Sequence, residues 1–345
     1  LSSAASDVYK RQEQCEEMIF SVQCIKQYGY SNTRNITYGN RCTAGSMWNN
    51  YLPNPHFVES FETATGEKFN WDNYLPGYSA MKEKERVVFF LRDGLSAAEK
   101  ERMAAYGADM NKYLDSGNEA RIKKAYESRD PRLQMAVITP YAQYNGASSG
   151  IAHTYTLRWP YRGSDSAEPF DIRTDTNDKF YYLWRKFVPE GLEQTERDTY
   201  GLDIPLIRYA EVLLLKAEAL NEWGSTHESE AIRCVNEVRR RAGHVELNNA
   251  TYPATKVNGQ SDLRERIRNE YYWEIGGEDS MYFHELRWGT WKDKKFDNNR
   301  NGLMQMWGET TYTWYWLGDQ CWSWPIPAKE MEMNSNLEQN EGWIN

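Results

Sequence analysis

The chain has 345 residues and a formal net charge of −9, from 41 Lys and Arg against 50 Asp and Glu. This acidic balance argues against a nucleic-acid backbone as partner, because phosphate contacts need clustered cations. Mean hydropathy is −0.83 and no run of 18 apolar residues occurs, so no spanning helix is expected, while the length allows a large core or more than one lobe.

Leu1 to Gln12 lacks the apolar centre of a signal peptide and reads as a non-native leader outside the fold. Glu17 to Ile25 reads as a strand or buried segment. Lys26 to Leu52 is rich in Gly, Asn and Ser and reads as loop, with Trp48 and Tyr51 embedded. Phe57 to Phe61 starts a short helix. Gly66 to Ser79 returns to loop around Phe69, Trp71, Tyr74 and Tyr78. Leu95 to Tyr106 is expected to be helical, because Ser96 followed by Glu99 makes a capping box. Asn111 to Ser128 is expected as a second helix and Leu133 to Thr139 as a strand. Tyr141 to Asp178 is long, polar and glycine-bearing, so it reads as loop, and Phe180 to Val188 alternates like a strand.

Pro205 to Gly243 reads as two antiparallel helices. Pro205 suits a first helical turn, and Ala210, Leu213, Leu214, Ala217 and Leu220 recur at helical spacing. Gly224 ends the first helix, and Thr226 or Ser229 can cap the second. Ile232, Val235, Val238 and Ala242 form its apolar stripe. Arg239, Arg240 and Arg241 fall in its last turn, where cations offset the helix dipole, and Gly243 follows as the terminator. A unit of this length has the form of a tetratricopeptide repeat, which needs neighbours to cover its faces. Beyond it, Asn248 to Gly259 reads as loop, Ser261 to Ile275 and Tyr282 to Trp288 as helix, and Lys292 to Trp324 as irregular or hairpin-like. Glu330 opens a last helical turn. Loops this long in a compact domain usually carry function.

Read in order, EMIFSVQ (Glu17 to Gln23), PNPHFVESFETATGEKF (Pro53 to Phe69), RDPRLQMAVITP (Arg129 to Pro140), RYAEVLLLKAEAL, AIRCVNEVRRRAG, LRERIRNEYYWEIGGEDSMYFHELRWGTW (Leu263 to Trp291) and WPIPAKEMEMNSNLEQNEGW (Trp324 to Trp343) resemble the SusD/RagB family of outer-membrane nutrient-binding lipoproteins. The series covers nearly the whole chain after about Gln12. It departs at Glu341, where the family usually has proline, and at Gly276-Gly277, where it usually has Glu-Gly. The resemblance implies a mainly α, SusD-like fold: a tetratricopeptide-like scaffold with long irregular loops and a few short strands. It implies that residues 13–345 are the C-terminal portion of such a domain. Within it, 205–243 are the repeat-like pair and 244–345 the family's C-terminal region. The N-terminal repeats, the lipoprotein signal and the lipid anchor that would supply the only membrane association would be missing. It further implies a non-catalytic, surface-exposed outer-membrane lipoprotein of Bacteroidetes-type bacteria. Such a protein passes an oligosaccharide or polysaccharide to a SusC-like TonB-dependent transporter; no cofactor is expected, and the resemblance does not settle calcium at Asp297, Asn299, Asn301 and Glu309. The alternatives are peptide capture by the same fold, an intracellular repeat scaffold, and a carbohydrate-active enzyme.

The chemistry-bearing patterns are few. Gly146 to Gly150 matches GxSxG but lacks the strand before and helix after that a nucleophile elbow needs. Asp297, Asn299 and Asn301 open like a calcium loop, but the closing Glu309 falls one place late and Arg300 adds an adverse charge. Asp175, Asp178, Glu190, Glu193 and Glu196 give no convergent carboxylate pair for glycoside hydrolysis. The five histidines show no metal spacing, and five cysteines without a CxxC pair indicate no zinc knuckle, though Cys24 and Cys42 could form a disulfide. Aromatics make up 14% of the chain. Flat rings beside polar edges suit sugars, whose C–H faces stack while their hydroxyls bond. The expected ligand contacts are Trp48, Asn49, Tyr51, Trp71, Asn73, Tyr74, Trp159 and Trp314. Tyr312, Trp314 and Trp316 would share a face on a strand, whereas Trp322 and Trp324 are expected to pack beneath their own loop.

Overall fold

The computed structural model describes residues 15–43, 47–148, 150–164, 166–173, 179–190, 200–296 and 302–344. The chain divides into one unit of residues 1–278 with 304–309, and another of residues 279–303 with 310–345. In chain order the first unit holds β1 (Met18–Val22), α1 (Arg34–Tyr38), α2 (Pro55–Ser60), α3 (Glu83–Arg86), α4 (Ala97–Tyr106), α5 (Asn118–Glu127) and α6 (Pro131–Ala136). There follow β2 (Val137–Ile138), β3 (Gln143–Ser148), β4 (Ile151–Thr156), β5 (Leu183–Trp184), β6 (Ile204–Arg208), α7 (Tyr209–Trp223), α8 (Glu228–Arg241) and α9 (Gln260–Ile275). The second unit holds α10 (Ser280–Trp288), α11 (Trp291–Phe296) and α12 (Ala328–Met333). The fold is mainly α, and the strands of the first unit form two-stranded pairs β1–β6, β2–β5 and β3–β4.

The helix pair forms as its apolar spacing demands. Ala210, Leu213, Leu214, Ala217 and Leu220 of α7 are buried, and so are Ile232, Val235 and Val238 of α8. Each buried leucine contributes about 1.5–3 kcal/mol. The start differs from expectation. Pro205 lies in β6 opposite Ser21, and α7 begins at Tyr209, because pairing with β1 holds this stretch extended. Neither Thr226 nor Ser229 caps α8. A 3-10 turn, Ser225–His227, precedes it, and His227 makes no side-chain cap bond.

The arginine triplet is not chiefly a dipole partner. Arg239 is buried and pairs with Glu62 at 2.6 Å and Glu270 at 3.0 Å. Arg241 pairs with Glu274 at 2.5 Å and also with Glu17. Only Arg240 faces water, beside Glu246. The layer continues through Arg132, on Asp130 and Glu270 at 2.6 Å each, and Arg208, on Glu274 at 3.0 Å and Glu278 at 2.8 Å. Lys186 reaches Glu278 at 2.6 Å, and buried His244 reaches Glu62 at 3.2 Å. Burial pushes the Glu278 carboxyl up, but Arg208 and Lys186 outweigh it and bring it down to about 2. Glu274 behaves alike: burial opposes ionisation, and Arg241, Arg208 and Arg132 hold its carboxyl well below the usual range. Breaking one such buried pair typically costs about 3–5 kcal/mol, since the remaining charge is left uncompensated.

An aromatic core fills the rest of the unit. Val87, Val88, Phe89, Phe90 and Leu91 are all buried, packed with Trp71, Tyr78, Tyr126, Trp159 and Trp307. The capping box of α4 is present: Ser96 Oγ accepts from the Glu99 N–H and Glu99 accepts from the Ser96 N–H. Other expectations change. The helix expected over 111–128 begins only at Asn118, after Gly117 at φ +87°. Leu133 to Ala136 is helix, because Asp130 caps Arg132 and Pro131 takes the first position, leaving Val137 and Ile138 as a two-residue strand. The strand expected over 180–188 reduces to Leu183 and Trp184. The stretch expected as loop from Tyr141 contains the β3–β4 hairpin, in register from Gln143↔Thr156 to Ser148↔Ile151.

Candidate functional site

Trp48 and Tyr51 are 53% and 58% exposed. Their display is built by the backbone. The Trp48 N–H donates to the Ile36 carbonyl at 2.9 Å, and the Asn50 and Tyr51 N–H groups donate to the Thr37 carbonyl at 2.9 and 3.1 Å. The loop is therefore fastened to the last turn of α1. Asn49 between them is buried, with φ +59°, a left-handed conformation that Asn tolerates better than most residues. Asn49 is thus a hinge of the loop rather than a surface contact. Beneath, the Tyr38 ring lies 5.6 Å from Tyr51, 5.8 Å from Trp184 and 6.0 Å from Phe187, and its hydroxyl donates to the Gly277 carbonyl at 3.0 Å. The display rests on a packed base.

The other sequence-derived contacts fare differently. Trp71 is only 6% exposed. It stacks on Tyr78 at 4.8 Å, meets Phe69 edge-on at 4.8 Å, and donates from Nε1 to Glu59 at 2.7 Å. Its faces are occupied by the core, so it is corrected to a packing residue. Tyr74 is half-buried, stacked on Phe69, and its hydroxyl accepts from Ser128 at 2.7 Å. Asn73 is exposed beside it. Trp159 is also a core ring, 8% exposed and stacked on Phe180 at 5.4 Å. In the second unit, Trp314 is half-buried and Lys295 Nζ lies 4.1 Å from its ring centre. The strand there covers only Thr310–Tyr312, so no alternating face extends to Trp316, which instead packs on Phe296 and Trp322. Trp324 does not pack beneath its loop; it is 75% exposed.

Further rings are exposed without having been expected, Tyr28 and Tyr30 of the N-terminal stretch among them. Tyr28 and Tyr30 are 70% and 68% exposed. The signal for them is the Tyr28-Gly29-Tyr30 turn, with Gly29 at φ +78°, set among polar residues with nothing apolar to cover it.

The remaining chemistry-bearing patterns do not converge. Gly146 and Ser148 lie in the β3–β4 hairpin, which is not a nucleophile elbow. Asp297, Asn299 and Asn301 lie outside the described residues, as do Asp175, Asp178, Glu193 and Glu196. Glu309 is engaged by the Trp307 Nε1 at 2.9 Å, the Gln305 amide at 3.0 Å and the Tyr106 hydroxyl. Among the described residues no group of His, Cys, Asp and Glu is placed to hold a metal. Cys24 and Cys42 are free thiols; Cys42 Sγ approaches the Asp171 carbonyl and Cys24 Sγ accepts from Asn32. A cleft of about 1120 Å³ opens in the first unit, lined by Lys123, Gln134, Arg158, Arg185 and Arg208 among others, and by none of the expected ligand contacts. Its cations are committed: Arg208 lies in the ionic layer, Arg158 pairs with Asp171 and Arg185 with Glu190.

Comparison with known proteins settles the family. The model of the SusD family matches residues 16–343. A SusD-like protein of Formosa agariphila is 32% identical over 139 residues, 40% of this chain and 24% of that protein. The starch-binding protein SusD of Bacteroides thetaiotaomicron is 28% identical over 161 residues, 46% of this chain and 25% of that one. Among solved structures, a SusD-like protein of Bacteroides fragilis superposes with a TM-score of 0.61 at 19% identity, over 99% of this chain and 57% of that one. A SusD-like carbohydrate binding protein of the same species gives 0.58 at 21%, over 97% and 57%. The matches thus take in about a quarter of the curated relatives and a little over half of the solved chains. With the helical scaffold, the order of elements and the family match in agreement, this chain belongs to the SusD family.

Proposed function

We propose that this chain holds carbohydrate chains on exposed aromatic rings and carries out no chemistry on them. The observation that carries the reading is the Trp48–Tyr51 loop: two large rings turned to solvent by a backbone fastened to α1. A ring held in place loses little freedom when a ligand stacks on it, which favours binding. One relative is named a starch-binding protein and one structural neighbour a carbohydrate binding protein, which supports a glycan as the ligand in preference to a peptide. In this reading the protein works at the surface of the outer membrane, beside a SusC-like TonB-dependent transporter that takes up the bound glycan.

The test is retention of the folded chain in native gels cast with a panel of polysaccharides. One or more should retard it. Trp48→Ala and Tyr51→Ala should each weaken retention about two- to twelvefold, the worth of one aromatic contact of about 0.5–1.5 kcal/mol. Retardation unaffected by either change would move the site elsewhere. Binding of peptides in place of any glycan would replace the reading with peptide capture, and turnover of a bound glycan would replace it with an enzyme.

A further inference from the structure

Four of the exposed rings of the first unit's N-terminal stretch, Tyr28, Tyr30, Trp48 and Tyr51, sit in a region with an unusual charge pattern. The 41 residues from Met18 to Val58 contain no Asp and no Glu, where about six would be expected at the chain's average of 50 in 345. They contain three cations, Lys26, Arg34 and Arg41. Tyr28, Tyr30, Trp48 and Tyr51 all lie within this stretch.

Among the described residues Arg41 lacks the carboxylate partner that many arginines of this chain have. Arg132, Arg208, Arg239, Arg240, Arg241 and Arg264 each meet a carboxylate. Among the described residues none meets Arg41, and its buried Nε has no hydrogen-bond partner. Its place is at the base of the aromatic loop, since the neighbouring Asn40 carbonyl accepts from the Met47 N–H at 3.2 Å and Trp48 follows directly. Arg34 is occupied differently, with its guanidinium 4.4 Å over the Phe187 ring. The acids that the described residues bring against the stretch include Glu59, which pairs with His56 at 3.5 Å and accepts from Trp71 Nε1, the buried Asp171, whose carboxylate pairs with Arg158, and Asp203, which is 6% exposed and accepts from the Cys24 N–H at 2.8 Å. Asp203 is committed to the backbone and turned away from solvent.

We infer that the glycan held by these rings is anionic, with carboxylate or sulfate groups on its sugars. The inference rests on the glycan-binding reading above. Exposed charges act over only about 8 Å at physiological salt. An approaching ligand therefore meets the local charge around the rings, not the net −9 of the whole chain. A stretch with no carboxylate of its own repels an anionic sugar less than the chain's average would, and the Arg41 guanidinium offers a planar fork that matches carboxylate or sulfate oxygens. A neutral glycan would gain nothing from either feature.

The experiment uses polymer pairs that differ only in charge: polygalacturonate against its methyl ester, and dextran sulfate against dextran. Retention is measured in native gels at two salt concentrations. At about 20 mM NaCl the anionic member of at least one pair should bind about fivefold or more tightly than its neutral twin, and the gap should close at about 0.5 M, where the Debye length shrinks to a few ångströms. The pair that shows the gap tells carboxylate from sulfate recognition. Arg41→Gln should close the gap at low salt, Arg41→Lys should keep part of it, and Trp48→Ala should weaken both members of the pair. Matching thermal melts show that each variant is folded, and the salt series on the unaltered chain needs no variant. Equal retention of neutral and anionic twins, lost on Trp48→Ala, overturns the inference and leaves the glycan reading standing. An anionic preference that survives Arg41→Gln also overturns it, by placing the charge recognition elsewhere. No retention by any polymer overturns the glycan reading itself.

Discussion

Two tetrapeptides in this chain are almost the same, Trp48-Asn-Asn-Tyr51 and Trp71-Asp-Asn-Tyr74, and the fold treats them in opposite ways. Trp48 is 53% exposed and Trp71 6%. The tetrapeptides cannot decide this, so their neighbours must. Trp71 stands between Phe69 and Leu75, with Tyr78 three residues further on and the Val87 to Leu91 run beyond, and all of them except half-buried Phe69 are buried. Trp48 follows Gly45, Ser46 and the fully buried Met47 in sequence and precedes Asn49 and Asn50, and no ring lies within two residues of it as Phe69 does of Trp71. A polar-flanked ring is displayed, while an aromatic-flanked ring is drawn into the core by the same hydrophobic gain.

The largest effect that can break this comparison is on stability. Trp71→Ala removes a ring closed in by four others and should cost about 3–5 kcal/mol, as large-to-small changes of core aromatics do. Trp48→Ala should stay within about 0.5 kcal/mol, as surface changes usually do. Urea unfolding of the two variants beside the parent chain measures both. Equal losses would mean that the Trp48 loop is packed in solution and that its exposure does not describe the molecule.

The second effect sharpens the comparison through the supports of the two loops. The Trp71 loop is held by apolar packing, which does not titrate. The base of the Trp48 loop touches the ionic layer: Phe187, beneath Tyr38, follows Lys186, and Gly277, which accepts from Tyr38, precedes Glu278. The Glu278 carboxyl is held at about 2, below its ordinary 4.5. A depressed carboxylate contributes its full stability above the unfolded value and loses it as pH falls towards the folded one. The contribution, on the order of 3 kcal/mol for a shift of this size, should be intact at pH 5 and largely gone near pH 2. Urea midpoints that do not fall between pH 5 and pH 3 would remove Glu278 from this role.

What the sequence made legible follows from the range of each interaction. The α4 helix was readable because its signal, Ser96 with Glu99, lies within three residues. The apolar stripes of α7 and α8 were readable for the same reason. Pro205 misled because its partner Ser21 lies far off along the chain, and pairing with β1 overrides the preference of proline for a helix start. The arginine triplet misled likewise: Glu62 is 177 residues from Arg239, and Glu17 is 224 from Arg241. Half of the candidate site was visible as a mixture of Trp, Tyr and Asn. The same mixture pointed equally to Trp71, because composition does not report what covers a ring. Tyr28 and Tyr30 were missed because a Tyr-Gly-Tyr turn lacks the Trp-Asn-Asn-Tyr pattern that drew attention to Trp48 and Trp71, although Gln27 and Asn32 flank it.

The smallest effect concerns how the displayed loop is held. Asn49 keeps φ at +59°, a conformation that costs a residue with a Cβ about 1–2 kcal/mol and glycine almost nothing. Replacing Asn49 with Ala or Gly deletes the same buried amide in both cases, so the difference between the two variants isolates the backbone. Asn49→Gly should therefore be the more stable of the pair by about 1 kcal/mol. Its binding should nevertheless be weaker than that of the parent chain, because a glycine between Trp48 and Tyr51 frees the rings that Asn49 holds apart, and a ligand must then order them. The opposite order of stabilities would show that the loop does not keep the left-handed turn in solution, and the contrast between a displayed and a buried tetrapeptide would lose its structural cause.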